Sequence, residues 1–337
     1  MKVALDAMGG DSAPEEVVAG ALLSRSKAGG PEIILVGDEP RVRDCVARLG
    51  GSPDTFGFVH APEVIGMHES PVEAIRKKRG SSIVGSVKLV RDGQAGAVVS
   101  AGHTGAAVAA STLLLKTIPG IKKPGIAVTL PTAGERGCTV LDVGANIHAK
   151  PDHLFQYGLM ASQYVRAVLG VQRPSIGLLN IGEEDAKGTD LVKKTHALFS
   201  GSDLNFTGNV EGRDIFRGHV DIVVCEGFVG NVVLKAAEGM AEAFVSLLGR
   251  ASKKHAGDVP GGDKVIRGIL GDLDTMMNYS EVGGALLLGV EGVCLIAHGR
   301  SDARAIANAL RLAGRFIDAG VTRQIADGIR LAGETVA

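Results

Sequence analysis

Tryptophan is absent from this chain, and aromatic residues make up only 4% of its 337 positions. Stacking platforms for nucleic-acid bases are therefore not expected. An excess of one charge is lacking too: 36 Lys and Arg balance 37 Asp and Glu, for a formal net charge of −1. No global field draws such a chain to nucleic acid or to an anionic membrane. Cysteine is sparse. Cys45, Cys138, Cys225 and Cys294 lie far apart, with no CxxC and no Cys/His pairing. That favours reduced, buried thiols in a cytosolic protein over a disulfide frame or a zinc site. No run reaches 18 uninterrupted apolar residues, the nearest, around 283–297, being broken by glycines and Glu291. The chain opens on an apolar strand at Lys2–Leu5 instead of a signal-peptide pattern. A cytoplasmic location is expected, with attachment to a membrane surface left open.

Familiar site signatures are missing as well. There is no Gly-x-Ser-x-Gly elbow, no Walker GxxxxGK[ST] and no HExxH. His103, His148, His153, His196 and His298 are dispersed, and no strand is followed by GxGxxG with an acid about 20 positions on. Neither a metal nor a nucleotide cofactor is expected.

What the chain does have is glycine, 48 of them without collagen periodicity, placed at turns between strands and helices. Apolar strands at 3–5, 33–36, 58–60, 97–100, 139–142, 176–179, 204–206 and 222–225 alternate with helical segments. This predicts one α/β domain spanning 1–337, a mainly parallel sheet with helices on both faces. Loops that follow parallel strands share a rim, so the polar loops are expected to line one crevice. Asp221–Lys235 is typical: a buried strand, a Gly-punctuated turn, then a helix. Such a turn presents free N–H groups and a positive dipole end that suit an anion, although it is also an ordinary βα connection. The rim collects Gly9, Gly10, Gly102, Thr104, Gly105, Asn146, Asn180, Asn209, Gly230 and Asn231, with one cation, Lys187, inside a loop. No protein nucleophile is evident, which suits a reagent from solution such as inorganic phosphate, oriented beside a stabilised oxyanion. These residues by themselves lead to an anion-binding α/β enzyme that transfers phosphate or acyl groups.

After the hydrophilic stretch 253–263, Val265, Ile266, Ile269, Leu270, Leu273, Met276 and Met277 fall on one helical face. That face is core, a dimer interface or a membrane-surface contact.

The ordered motifs Asp6-Ala7-Met8-Gly9-Gly10-Asp11, Ser100-Ala101-Gly102-His103-Thr104-Gly105-Ala106, Leu141-Asp142-Val143-Gly144-Ala145-Asn146, Leu178-Leu179-Asn180-Ile181-Gly182-Glu183-Glu184, Lys187-Gly188, Gly208-Asn209-Val210-Glu211, Asp221–Lys235, Tyr279-Ser280-Glu281-Val282-Gly283-Gly284 and His298-Gly299 run through the chain. Together they resemble the PlsX family of phosphate acyltransferases. The resemblance implies a Rossmann-like α/β/α sandwich related to phosphate acetyltransferase and to the isocitrate and isopropylmalate dehydrogenases. It implies a homodimer with a protruding helical excursion at about 245–280. It also implies transfer of a long fatty acyl group from acyl carrier protein to inorganic phosphate, the acyl phosphate feeding a membrane glycerol-3-phosphate acyltransferase in phosphatidic acid synthesis. By position, Lys187 and Asn231 are the expected catalytic residues. Gly9, Gly10, Asp11, Gly102, His103, Thr104, Gly105, Asn146, Asn180, Glu183, Asn209, Glu211 and Gly230 are the expected phosphate- or acyl-binding residues. Glu183 and Glu211 either orient Lys187 or serve as helix-start acids, and His103 stands where the family is expected to carry Asn. Arg76, Lys77, Lys78 and Arg79 form either a docking patch for an acidic carrier protein or a solvated helix end. Ile266, Ile269, Leu270, Leu273 and Met276 mark the helix for membrane or dimer contact. Two other readings stand beside this one: a short-chain phosphate acetyl- or butyryltransferase using coenzyme A, and a non-catalytic scaffold for a carrier protein or membrane partner.

Overall fold

The computed structural model describes residues 2–26, 29–255, 264–266, 268–269, 271 and 283–336. Short apolar segments form the strands because both of their faces are covered. Val3, Ala4 and Leu5 of β1 (Lys2–Asp6) are fully buried, as are Val98 and Val99 of β4 (Ala97–Ser100). The remaining strands are β2 (Glu32–Gly37), β3 (Gly57–His60), β5 (Gly125–Leu130), β6 (Cys138–Leu141), β7 (Ile176–Leu179), β8 (Phe206–Val210), β9 (Ile222–Val224), β10 (Ala285–Leu288) and β11 (Val293–Ile296). They form one sheet in the order β3-β2-β1-β4-β11-β10-β5-β6-β9-β7-β8.

Two blocks of that sheet are parallel: β3-β2-β1-β4-β11 and β6-β9-β7-β8. Between them the pairings β11–β10, β10–β5 and β5–β6 are all antiparallel. Three reversals are an odd number, so the two blocks point in opposite directions. The mainly parallel α/β expectation holds, but the single shared rim does not. The loops after β1, β4 and β11 leave one edge of the sheet, and those after β6, β7, β8 and β9 leave the other.

Helices cover both faces. On one face lie α1 (Glu15–Arg25), α2 (Glu39–Arg48), α6 (Pro151–Leu169), α7 (Asp190–Ser200) and the helices Ala303–Asp318 and Val321–Val336. On the other lie α3 (Pro71–Lys77), α4 (Ser82–Arg91), α5 (Thr104–Leu114) and the first turns of α8 (Gly227–His255). Short polar side chains start several of these helices. Asp38 caps α2 by accepting from Arg41 N–H, Thr189 caps α7 through Val192 N–H, and Asp302 caps the helix at 303 through Ala305 N–H.

Candidate functional site

The first set of loops is built on a buried aspartate at the end of β1. Asp6 accepts Met8 N–H through Oδ1 at 3.3 Å and Ser100 O–H through Oδ2 at 2.7 Å. Ser100 Oγ in turn accepts Gly102 N–H at 3.1 Å. Burial raises the Asp6 carboxyl above its ordinary range, against these hydrogen bonds. Gly9 lets the two loops touch, since a Cβ there would lie 2.6 Å from Asp6 Oδ2 and 2.7 Å from Gly102 N. Asp11 N–H donates to Gly299 O at 2.8 Å and brings in the loop after β11. His103 replaces the expected Asn without losing its job as a cap: Nδ1 accepts Ala106 N–H at 3.4 Å. An imidazole that accepts at Nδ1 carries its proton on Nε2, so a donor remains for a ligand. Beyond it, the Thr104 and Gly105 N–H groups of the first turn of α5 meet no acceptor among the described residues.

The second set is organised by Asp142, fully buried at the end of β6. Its Oδ1 accepts N–H groups from Ile126, Gly144 and Ala145 at 3.0, 3.0 and 2.9 Å, and its Oδ2 accepts Asn146 N–H at 2.9 Å. Burial raises this carboxyl too, opposed by the four donors. Asn146, an expected ligand-binding residue, spends its amide inside the protein, on Pro124 O at 2.6 Å and Tyr157 Oη at 2.9 Å. Asn231 lies exposed on α8 and donates to Val143 O at 3.1 Å, which aims the rest of its amide outward.

The start of α8 differs from the reading of Asp221–Lys235 as a source of free N–H groups. Gly227 N–H donates to Asn146 O at 2.9 Å, and Phe228 and Val229 N–H donate to the Glu226 carboxylate at 2.7 and 3.0 Å. Gly230 N–H is already intrahelical, to Glu226 O at 2.9 Å. The helix is capped by its own carboxylate, and an incoming anion would have to displace it. Gly230 is needed for packing instead: a Cβ there would collide with the carbonyl oxygen of Asp142.

Lys187 sits in the open loop after β7, curled over Gly182, with Nζ 2.7 Å from Glu184. That hydrogen bond, helped by the charge of Glu211, raises its pKa and keeps it an ammonium. The acid that pairs with Lys187 is thus Glu184 and not the candidate Glu183, which is exposed and takes no part in the ion pair. Glu211 pairs with Arg213 at 2.9 Å, and its own N–H is capped by Asp214 at 2.8 Å. Asn180 closes the loop, accepting Ile181 N–H at 2.9 Å and donating to Lys187 O at 3.1 Å. Asn209 is not a loop residue. The strand expected at 204–206 runs instead from Phe206 to Val210, with Gly208 at φ +99° beside a register irregularity at Ile176 and Gly177. Buried in β8, Asn209 donates to Glu184 O at 3.1 Å and so holds the lysine loop from beneath.

Although they leave opposite edges of the sheet, the two sets meet through α8. Eight residues and about 12 Å along its axis from Gly227, Lys235 pairs with Glu238 at 2.7 Å, and both act on the His298 ring at the end of β11. Arg300 comes within 3.6 Å of Glu242 one turn further. Asn231, Lys235, Glu238 and Glu242 form one polar row on the helix, facing the first set of loops. His298 Nδ1 accepts Arg300 N–H at 3.2 Å. Burial and the nearby Lys235 lower its pKa, so the ring is neutral near pH 7 with Nε2–H outward. In the sequence His298 stands out only as part of a motif. A stronger signal is the apolar run directly before it, Val293–Ile296, which forms a strand absent from the sequence-based expectation.

All four cysteines are buried. Burial pushes Cys138 up to about 12 and Cys294 up to about 11, and raises Cys45 and Cys225 as well. None is a ready thiolate nucleophile.

Of the basic patch, Arg76, Lys77 and Arg79 lie at the far end of α3 from Pro71, which packs against Gly105. Lys77 is exposed. Lys78 is tied to Glu69 at 2.6 Å and Val64 O at 2.7 Å. Of the helix expected at 264–277, Val265 and Ile269 are exposed and Ile266 is half-buried. Leu270, Leu273 and Met276 lie outside the described residues, as does the motif from Tyr279 to Val282. No helix among the described residues is long and apolar enough to cross a membrane.

With that geometry in view, similarity to known proteins becomes informative. The family described as "Fatty acid synthesis protein" matches residues 1–324. A phosphate acyltransferase of Trichlorobacter lovleyi is 47% identical over 329 residues, covering 97% of this chain and 94% of its own. One of Desulforamulus reducens is 46% identical over 336 residues, covering 98% and 97%. Among solved structures, a phosphotransacetylase from Streptococcus pyogenes superposes with a TM-score of 0.63 at 18% identity, covering 94% of each chain. A branched-chain phosphotransacylase from Enterococcus faecalis gives 0.56 at 15% identity, covering 94% of this chain and 98% of its own. The structural likeness supports the fold alone. The sequence identity along nearly the whole length decides the rest: the chain belongs to the fatty acid synthesis protein (PlsX) family and is an acyltransferase.

Proposed function

We propose that the protein transfers a long-chain fatty acyl group from an acyl carrier protein thioester to inorganic phosphate, making the acyl phosphate used in phosphatidic acid synthesis. The observation that carries the reading is a supply of anion donors beside no activated side-chain nucleophile. Unspent N–H groups at Thr104 and Gly105 and the His103 Nε2–H lie at the start of α5, and the other set of loops contributes the Lys187 ammonium and the Asn231 amide. Every cysteine thiol is buried and held protonated. The nucleophile then has to be phosphate itself.

In the proposed step an oxygen of hydrogen phosphate dianion attacks the thioester carbonyl carbon. The tetrahedral oxyanion collapses, the C–S bond breaks, and the acyl–oxygen bond remains. The proton carried by phosphate passes to the departing thiolate, so charge balances on both sides. The α5 N-terminus suits the phosphate because its dipole and N–H groups favour an anion. Lys187 and Asn231 supply donors where negative charge develops. Glu184, through its contact with Lys187, positions the ammonium. His298, neutral and donating from Nε2, stands where the proton has to travel.

Arg76, Lys77 and Arg79 offer a steering surface for an acidic carrier protein at and just past the end of α3, the helix whose Pro71 packs against the start of α5. The exposed apolar row Val229, Val232, Met240, Phe244 and Leu247 on α8 supports a second copy of the chain as partner, on the side of the helix away from its polar row of Asn231, Lys235, Glu238 and Glu242. Membrane-surface contact through Val265 and Ile269 would deliver product to a glycerol-3-phosphate acyltransferase. The whole chain acts as one domain in this reading.

The test is incorporation of ³²P-labelled phosphate into a chloroform-soluble acyl phosphate from acyl carrier protein thioesters. Label should appear only with thioester and protein together. Thioester consumption without label, or equal use of short coenzyme A thioesters, would overturn the reading.

A further inference from the structure

We propose that the cavity beneath α8 holds the acyl chain and measures its length. The cavity encloses about 220 Å³ between Leu130 at the end of β5, Phe216, and Leu234, Ala237, Glu238 and Ala241 of α8. Its lining is mostly apolar, the polar members being Thr132 and Glu238, whose carboxylate is held by Lys235 at 2.7 Å. Roughly seven water-sized units would fill it at about 30 Å³ each, and a methylene is of comparable size. The site is therefore large enough for a substantial part of an alkyl chain, against a mostly apolar lining.

Its position relative to the proposed reacting groups gives it a direction. Leu234, Ala237 and Ala241 stand three, six and ten residues beyond Asn231, or about 4.5, 9 and 15 Å along the axis. A carbonyl held at Asn231 would send its chain past the Lys235–Glu238 pair and down this face. Past Ala241 the same face continues with Val245 and Leu248, both half-buried, so a longer chain is not stopped at the cavity's end. Ala237 and Ala241 keep the space open, since side chains any larger at those points would occupy it.

A larger apolar groove, about 610 Å³ between Phe155, Leu159, Ala326 and Ile329, is the competing location. It is formed by α6 and the helix Val321–Val336, on the opposite face of the sheet from Leu234. A chain bound there could not reach a carbonyl at Asn231 without crossing the sheet.

This inference rests on the acyl-transfer reading, and its test separates the two. Acyl carrier protein thioesters of 4, 10 and 16 carbons (chain lengths chosen as probes, from roughly half to roughly twice the seven units that fill the cavity) are compared by labelled acyl phosphate formation in wild type, Ala237→Phe, Ala241→Phe and Ala326→Phe. Burying one methylene is worth about fourfold in binding, so losing three or four of them should lower kcat/KM by roughly 10². Ala237→Phe should show that loss with the longest substrate and keep the shortest near wild type. Ala241→Phe, further from Asn231, should spare the middle length and affect only the longest. Ala326→Phe should leave the profile flat. Equal losses at every length, no loss at any length, or a length-dependent loss in Ala326→Phe would overturn the proposal. Should wild type make no acyl phosphate at all, the acyl-transfer reading fails, and binding of a fluorescent long-chain fatty acid decides the cavity. Weaker binding in Ala237→Phe upholds it and unchanged binding overturns it. Ala241→Phe, at a half-buried position, carries the same comparison if Ala237→Phe does not fold.

Discussion

The two sets of loops are each gathered by one buried aspartate, yet they spend their backbone donors differently. Around Asp6 the partners include a hydroxyl, Ser100, and two N–H groups of the neighbouring helix α5 are left over. Around Asp142 four N–H groups converge on the carboxylate, and the adjoining helix α8 is capped by Glu226. The same ingredients, a strand end, a glycine loop and a helix start, thus make an open donor site in one place and a closed strut in the other. On the closed side the chemistry has to come from side chains, Lys187 and Asn231. On the open side it can come from the backbone.

The largest effect expected from this contrast is on Lys187→Ala. Removing the donor that faces developing charge should lower kcat for acyl phosphate formation by on the order of 10² or more, with the melting temperature little changed. A variant that keeps full turnover would shift the whole anion site to the α5 side. The second effect concerns stability. Asp142→Asn should cost about 2 kcal/mol in urea unfolding, because fixed backbone N–H groups would face an amide NH₂. Asp6→Asn should cost well under that, since the Ser100 hydroxyl can turn and accept instead. Equal costs would erase the distinction between strut and open site.

Smaller still is Glu226→Ala, which should destabilise by about 1 kcal/mol as a lost cap. It should also expose Phe228 and Val229 N–H groups, so phosphate should raise the melting temperature of the variant more than that of wild type. The smallest effect is on pH. The folded pKa of His298 lies below its unfolded value, so its contribution to stability is complete above about pH 6.5 and falls away as pH drops through the folded value. His298→Gln should remove that acid-side loss, a change on the order of 1 °C in melting temperature between pH 7 and pH 5. Asp6 works in the opposite sense, its raised pKa favouring the folded state most strongly at low pH, with the benefit fading as pH rises.

Most of the architecture is legible in the chain. The alternation of short apolar runs with capped helices announces the α/β class, and eight of the strands fall where apolar runs stand, with β8 displaced by a few residues. The three strands outside that expectation are Gly125–Leu130, Ala285–Leu288 and Val293–Ile296. Two of these make the antiparallel pairings that turn half the sheet around, and local periodicity carries no information on strand direction. The lysine is found by its loop, whereas Glu184, the acid that pairs with it, is not among the candidates Glu183 and Glu211. Which acid reaches back to Lys187 depends on the curl of the loop over Gly182, a conformation held by Asn180 within the loop and by Asn209 from the neighbouring strand.

What the sequence by itself determined is therefore the local chemistry: where strands end, which turns need glycine, which residues near those turns are amides, and which one is a cation. Those features depend on neighbours within a few residues. Only the tertiary structure decided which N–H groups are already spent, because their acceptors come from afar: Asp142 takes Ile126 N–H from a neighbouring strand, and Asn146 O takes Gly227 N–H from the start of α8. It also decided that two oppositely directed sets of loops converge, since a single helix long enough to span the gap carries Asn231 at one set and Lys235 at the other.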